Sequence, residues 1–373
     1  VITTRLSHHA NAFGLLRLFF ASLVIVSHTP ELYYGNRDKE ILTRIFGTLS
    51  FGEVAVDAFF VISGYLIAGS FVESKSPLNY LRKRVARIYP GFLAAYLFCL
   101  IVAIPLGGAN LPQYPIEYFS IAVRALMLQQ PNMGEVFKGS PYPILDGAMW
   151  TIAYEFRCYL LILILGLTKT LDRPYFVIIA TMFLIALSAY LPVPYHAYTP
   201  NPAGPLTPAI HSLGEWRNIL TGDTRQTIRL AGAFLVGTCF YLFRSALSFN
   251  RMNTLMSAIG LVAGLFFKET ANAAVTIFGG YIIFLVAMTY KNTILANINN
   301  ENDVSYGVYL YAWPIEKILL TFEPGLPMWM SGVLTLVFAY MMGWISWVTL
   351  ERPVMAAVRL RSNVAHASMV SGN

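Results

Sequence analysis

An all-α, polytopic bundle of transmembrane helices is the fold class this sequence predicts, and three observations carry it. Of 373 residues, 56% are hydrophobic and only 12% charged, about half the ~25% charged fraction of an ordinary soluble domain. Ten apolar segments meet or approach the ~20 residues a helix needs to cross the hydrocarbon core. Basic side chains collect in short loops that alternating spans place on one side, as the positive-inside rule requires.

The segments lie at about 12–33, 50–72, 88–106, 147–168, 174–192, 228–246, 253–268, 271–289, 304–322 and 327–350. The first is too long for a cleavable signal and lacks a small-residue cleavage site, so it is expected to stay as an anchor. The seventh is short, and only Lys268, Glu269 and Thr270 divide it from the eighth. Loop 74–87 holds Lys75, Arg82, Lys83, Arg84 and Arg87. Loop 244–251, Lys291 and a tail with Arg352, Arg359 and Arg361 fall on that same side, which is expected to be cytoplasmic with both termini. Opposite lie 34–49, 107–146 and 193–227; the two longer loops form a candidate outer vestibule, and 114–130 a candidate interfacial helix. Arg217, Arg225 and Arg229 in the outer loop read first as solvated side chains. No internal repeat is evident, which counts against a transporter built from inverted halves. Residues 1–373 read as a single transmembrane domain.

The formal charge of +7 does not point to nucleic acid, because no basic patch with interleaved aromatics lies in a soluble segment. Cys99, Cys158 and Cys239 are far apart with no CxxC spacing, which supports neither a disulfide framework nor a zinc site. No metal site and no permanently bound cofactor is expected; membrane lipids are partners throughout.

Ionisable groups within a bilayer are costly and are functional candidates by default. In the first segment Arg17 and His28 are eleven residues apart, three helical turns plus ~20°, so they share one face ~16.5 Å apart along the axis. In the second, Asp57 precedes Ser63-Gly64; the small pair allows close helix approach, and Asp57 is a candidate partner for a histidine ring nitrogen. Arg84 and Arg87, three apart, share a helical face and suit the multidentate recognition of a pyrophosphate, though a basic loop also serves topology and anionic lipid. Glu155 and Arg157 are two apart and must face differently, with Tyr154 and Tyr159 as candidate walls of a polar cavity. Ser305, Tyr306, Tyr309 and Trp313 precede Pro314, which is expected to kink the ninth helix. Glu351 near Pro353 closes the tenth.

In this order, on ten hydrophobic segments, the residues resemble the acyltransferase-3 family of membrane O-acyltransferases, which modify bacterial surface glycans. The matching elements are Arg17-x10-His28, Gly52 through Asp57 to Ser63-Gly64, Arg84-x-x-Arg87, Trp150…Glu155, Ser305-Tyr306…Tyr309…Trp313-Pro314 and Glu351…Pro353. They cover almost the whole chain. The resemblance implies a bacterial inner-membrane enzyme taking acyl-CoA from the cytoplasmic side, with Arg84 and Arg87 near its phosphates and Arg82 beside them. It implies His28 as the central residue, supported by Arg17. Many relatives carry a histidine before the Trp-Pro of the ninth helix, where this chain has Ala312. Acetyl is the family's commonest group, and succinyl fits if extra basic residues hold a second carboxylate. Arg217, Arg225 and Arg229 in the outer loop are candidate contacts for an acidic glycan, second to the solvated reading.

On this reading neutral His28 is the base for a carbohydrate hydroxyl, either directly or through an acyl-imidazole, with Arg17 or a tyrosine as oxyanion support. Two other classes compete. A proton-coupled transporter or flippase of a glycan or lipid would use His28, Asp57 and Glu155 as a relay. A scaffold without catalysis would use the same charges for assembly alone.

Overall fold

The computed structural model describes residues 11–109, 112, 114–133, 136–191, 210 and 212–360, with no strand among them. Each of the ten predicted segments coincides with a helix. In chain order these are α1 (Phe13–Tyr34), the short α2 (Ile41–Phe46), α3 (Phe51–Val72) and α4 (Pro77–Leu106, through a π turn at Cys99–Ala103). After them come α5 (Pro115–Leu126), inside the segment read as interfacial, α6 (Trp150–Leu167), α7 (Pro174–Tyr190), α8 (Leu213–Thr221), α9 (Thr224–Leu242) and α10 (Arg251–Leu265). The chain continues with α11 (Lys268–Thr289), the single turn α12 (Ile294–Asn297), α13 (Ser305–Phe322) and α14 (Met328–Leu360, with a π turn at Trp347–Glu351). Six of them, α1, α3, α4, α6, α11 and α14, are long and apolar enough to cross a membrane by length and composition.

Local sequence sets the ends. Ser50 and Glu53 form a capping box at the start of α3, each side chain accepting from the other's backbone N–H. Ser76 caps α4, with Pro77 opening the first turn where no N–H is needed. Asp223 accepts from the Gln226 N–H at the start of α9. α1 closes at Gly35, whose φ of 79° is the left-handed geometry that favours glycine. The seventh and eighth segments are separate helices. Their break falls at Phe266 and Phe267, where the Thr270 hydroxyl donates to the Gly264 carbonyl at 2.9 Å.

α3 and α9 meet backbone to backbone. A Cβ on Gly64 would sit 1.8 Å from the Phe234 carbonyl oxygen, and one on Gly237 1.9 Å from that of Val61. With little hydrophobic drive between helices in lipid, such close approach supplies the packing energy. Gly64→Ala is expected to cost about 1–3 kcal/mol or more, because the obstruction is backbone and no rotamer change relieves it. The check is thermal unfolding of the detergent-solubilised protein; an unchanged melting temperature would argue against this contact.

The outward faces stay apolar. On α10, Met252, Leu255, Met256, Ile259 and Val262 recur at three- and four-residue spacing and are each half exposed or more, a stripe suited to hydrocarbon rather than water. α1 lies inside, against α3, α13 and α14, and that placement decides where Arg17 and His28 point.

Candidate active site

α1 and α13 run side by side in the same direction, since Arg17 near the start of α1 meets Asp303 just before α13, and His28 near its end meets Trp313. The eleven-residue spacing therefore does turn both side chains to one neighbour. His28 is the one histidine among the described residues.

The imidazole Nδ1 lies 2.7 Å from Glu31 Oε2, and Glu31 is only 1% exposed. The other carboxylate oxygen forms an ion pair with Arg37, 3.2 Å from Nε, and Arg37 reaches on to Glu53 at 3.3 Å. Asp57 was the expected carboxylate partner of a histidine; the partner is Glu31, one turn further along the same helix. The available signal was the spacing His28-Thr-Pro-Glu31, since residues three apart share a face. In a neutral imidazole whose Nδ1–H points to that carboxylate, Nε2 carries the lone pair. The Trp313 indole and the imidazole pack in a T-shaped arrangement, 4.9 Å between ring centres. Trp313 is in turn fixed from the 136–149 segment that precedes α6: Nε1 donates to the Ile144 carbonyl at 3.2 Å, and Tyr142 packs on its ring. In the same segment Asp146 is fully buried, and burial pushes its carboxyl up to about 7 despite the Ala148 and Met149 N–H groups that it accepts.

A file of polar groups fills the middle of the bundle. Glu155 on α6 accepts from the Tyr159 hydroxyl at 2.6 Å and from Ser63 on α3 at 3.2 Å. Tyr309 lies 2.8 Å from the Thr151 hydroxyl and donates to the Ala148 carbonyl at 2.7 Å. Arg84 donates to the Ser70 hydroxyl at 3.2 Å and stands 5.8 Å from the Tyr159 ring and 5.9 Å from that of Tyr80. Arg84, Tyr159, Glu155 and Ser63 thus adjoin one another. Arg157 turns the other way, as its spacing from Glu155 demands, to the Ile219 carbonyl at 2.9 Å and the face of Tyr154. Tyr154 accepts the Asp223 N–H at 2.7 Å and braces the start of α9, away from Glu155.

At the far end Asp303, in the loop before α13, joins three helices, α1, α4 and α13. It pairs with Arg17 at 2.9 Å and Arg87 at 2.5 Å, and accepts from Ser305 at 2.5 Å and Asn299 at 2.9 Å. Arg87 continues to Glu351 at 3.2 Å, which also accepts from Ser346. Tyr306 lies beneath the Arg87 guanidinium and donates to the Ile88 carbonyl at 3.0 Å. Burial alone would push the Asp303 carboxyl up, but Arg17 and Arg87 with the two hydrogen-bond donors outweigh it and hold it at about 2. Asp303 escaped sequence reading because its partners are distant in the chain. Arg17 is committed to it, ~16 Å along α1 from His28, and does not reach the imidazole. Of the predicted arginine pair, Arg87 is taken by two carboxylates, while Arg84 donates to a hydroxyl, lies near two rings and feels the Glu155 carboxylate without a salt bridge to it. Arg82 is exposed.

Asp57 is fully buried and pairs with Arg229 at 2.9 Å. Arg229 was expected in a solvated loop; it lies inside the bundle on α9, 3% exposed, because a carboxylate withdrawn from water requires a cation beside it. Arg217 and Arg225 are exposed as expected, and Arg361 lies outside the described residues.

A family model, that of the acyltransferase-3 acyltransferase domain, matches residues 11–351. An O-acetyl transferase of Shigella phage Sf6 is 25% identical over 353 residues, covering 90% of this chain and 94% of that protein. Nodulation protein 10 of Rhizobium leguminosarum bv. viciae is 25% identical over 381 residues, covering 94% of each. No solved structure matches the chain.

Proposed function

Since the chain belongs to the acyltransferase-3 family of membrane acyltransferases, we propose that it moves an acyl group, acetyl first among them, from acyl-CoA to a hydroxyl of a bacterial surface glycan or lipid-linked saccharide. The observation that carries the reading is the His28–Glu31 pair, a carboxylate-held imidazole packed on Trp313 within the helical bundle. The acceptor hydroxyl gives its proton to His28 Nε2 as its oxygen attacks the thioester carbonyl. The carbon–sulfur bond then breaks, and the imidazolium returns the proton to the departing thiolate. Glu31 holds the required tautomer and stabilises the imidazolium. The rival relay of His28, Asp57 and Glu155 is less well supported, because His28 pairs with Glu31 while Asp57 pairs with Arg229 and Glu155 with Tyr159 and Ser63.

In this reading ten helices span the inner membrane with both termini in the cytoplasm. The end of the bundle bearing Arg84 then faces the cytoplasmic acyl-CoA pool, and its guanidinium takes a CoA phosphate. Glu155 and Tyr159 form the polar wall between Arg84 and the reacting centre, and the Asp57–Arg229 pair supports the helices around it.

The test joins activity and binding. Purified protein is expected to consume acetyl-CoA only when a hydroxylated acceptor is present. Saturating acetyl-CoA should stabilise it by about 2.7 kcal/mol at a hundredfold excess over Kd, and Arg84→Gln should abolish that shift while leaving the unliganded melting temperature near wild type. A shift that persists in the variant removes Arg84 from the donor site; no acyl transfer from any CoA thioester removes the reading.

A further inference from the structure

One turn beyond Trp313 on α13 stands a second unusual cation. Lys317 is 1% exposed, yet its ammonium reaches only the Ser140 hydroxyl, at 2.6 Å, and the face of Phe137 at 5.4 Å. It pairs with no carboxylate among the described residues. The adjacent Glu316 is turned to another face, where its carboxylate accepts from Thr29 and Ser331. Arg17, Arg87 and Arg229 each have a carboxylate partner. A buried ammonium whose only polar contact is a neutral hydroxyl, with Glu316 acting on it from a distance, is costly, and an anion that arrives during function offsets that cost.

The position says which anion. Residues four apart share a helix face, so Lys317 follows Trp313, roughly 6 Å along the axis. Side chains on a helix lean toward its N-terminus, which here means back toward Trp313 and His28. Ser140 is half-buried and belongs to the same segment that fixes Trp313. We propose that Lys317 holds a carboxylate carried by a reactant, so that the enzyme selects either a dicarboxylic acyl group or an acidic sugar acceptor. The inference rests on the acyltransfer reading above. Both sources present the same chemistry, a carboxylate within reach of an ammonium as the reacting hydroxyl and thioester meet at His28.

Four reactant pairs separate the sources, using the purified full chain. Acetyl-CoA and succinyl-CoA are each offered with methyl glucoside and with methyl glucuronoside, and kcat/KM is measured for each pair. The wild type is expected to favour one carboxylate-bearing reactant over its neutral counterpart, succinyl-CoA if the acyl group is the source and the glucuronoside if the acceptor is. Lys317→Gln should lower that preference ratio roughly ten- to hundredfold, and Lys317→Arg should restore most of it. The ratio, together with the melting temperature of each variant, separates recognition from loss of loop anchoring, which lowers every pair by the same factor. A wild type indifferent to the carboxylate, or a ratio unmoved in Lys317→Gln, overturns this inference while the transferase reading stands. Absence of transfer in all four pairs overturns both.

Discussion

Glu31→Gln is expected to lower turnover by about 10²–10⁴-fold, nearly as far as His28→Ala, with the fold intact. The reason lies in the partners of the two carboxylate oxygens. Arg37 Nε faces Oε1 and His28 Nδ1 faces Oε2. An amide can present one carbonyl oxygen and one NH₂ group. Arg37 stays protonated and only donates, so the carbonyl turns to it and the NH₂ turns to His28. Nδ1 must then accept, the ring proton moves to Nε2, and the base is lost although the geometry survives. kcat is expected to fall while KM for acetyl-CoA and the melting temperature stay close to wild type. Glu31→Asp, which keeps the charge but shortens the reach, should fall between the two. If Glu31→Gln retains turnover within a few-fold of wild type, His28 does not work through this carboxylate.

Asp303→Ala is expected to be the most damaging single change to stability, about 3–5 kcal/mol. It strands Arg17 and Arg87 together with only Glu351 nearby, and it releases Ser305 and Asn299 from the start of α13. Two partly buried guanidinium groups that had shared one carboxylate are left to repel each other. Asp303→Asn should be nearly as severe, since it keeps the shape but not the charge. The same group fixes the acid limit of the fold. Its carboxyl is held at about 2, below the ordinary 3.8, so its contribution is complete above pH ~4 and is lost as pH falls through ~2. Chemical unfolding across pH 2 to 5 should show that loss in the wild type and a flatter profile in Asp303→Asn. Equal pH dependence in the two proteins would show that the acid limit lies elsewhere.

Much of the architecture was legible without coordinates. A bilayer leaves the backbone no water to bond, so a spanning segment has to be a continuous apolar helix, and such segments announce themselves by length and composition. The same regularity made the shared face of Arg17 and His28 readable from a rotation of ~100° per residue, and it separated Glu155 from Arg157. Gly64 was readable as a close-approach site for the same reason. Where reading failed within one helix, as for Glu31, the information was present but the more distant Asp57 was preferred.

The pairings across helices were decided by the tertiary structure alone. Asp303 stands 216 residues from Arg87, and Arg229 lies on a helix far along the chain from Asp57; nothing local says which helices become neighbours. An isolated charge in an apolar segment signals that some partner exists, because burying it alone is too costly. Which partner it takes depends on the crossing of helices at contacts such as Gly64 with Gly237, where the absence of side chains lets the backbones meet. The sequence by itself determined the helices and the faces they present. The packing of those faces determined which arginine is bound up in an ion pair, which is not, and which carboxylate holds the imidazole.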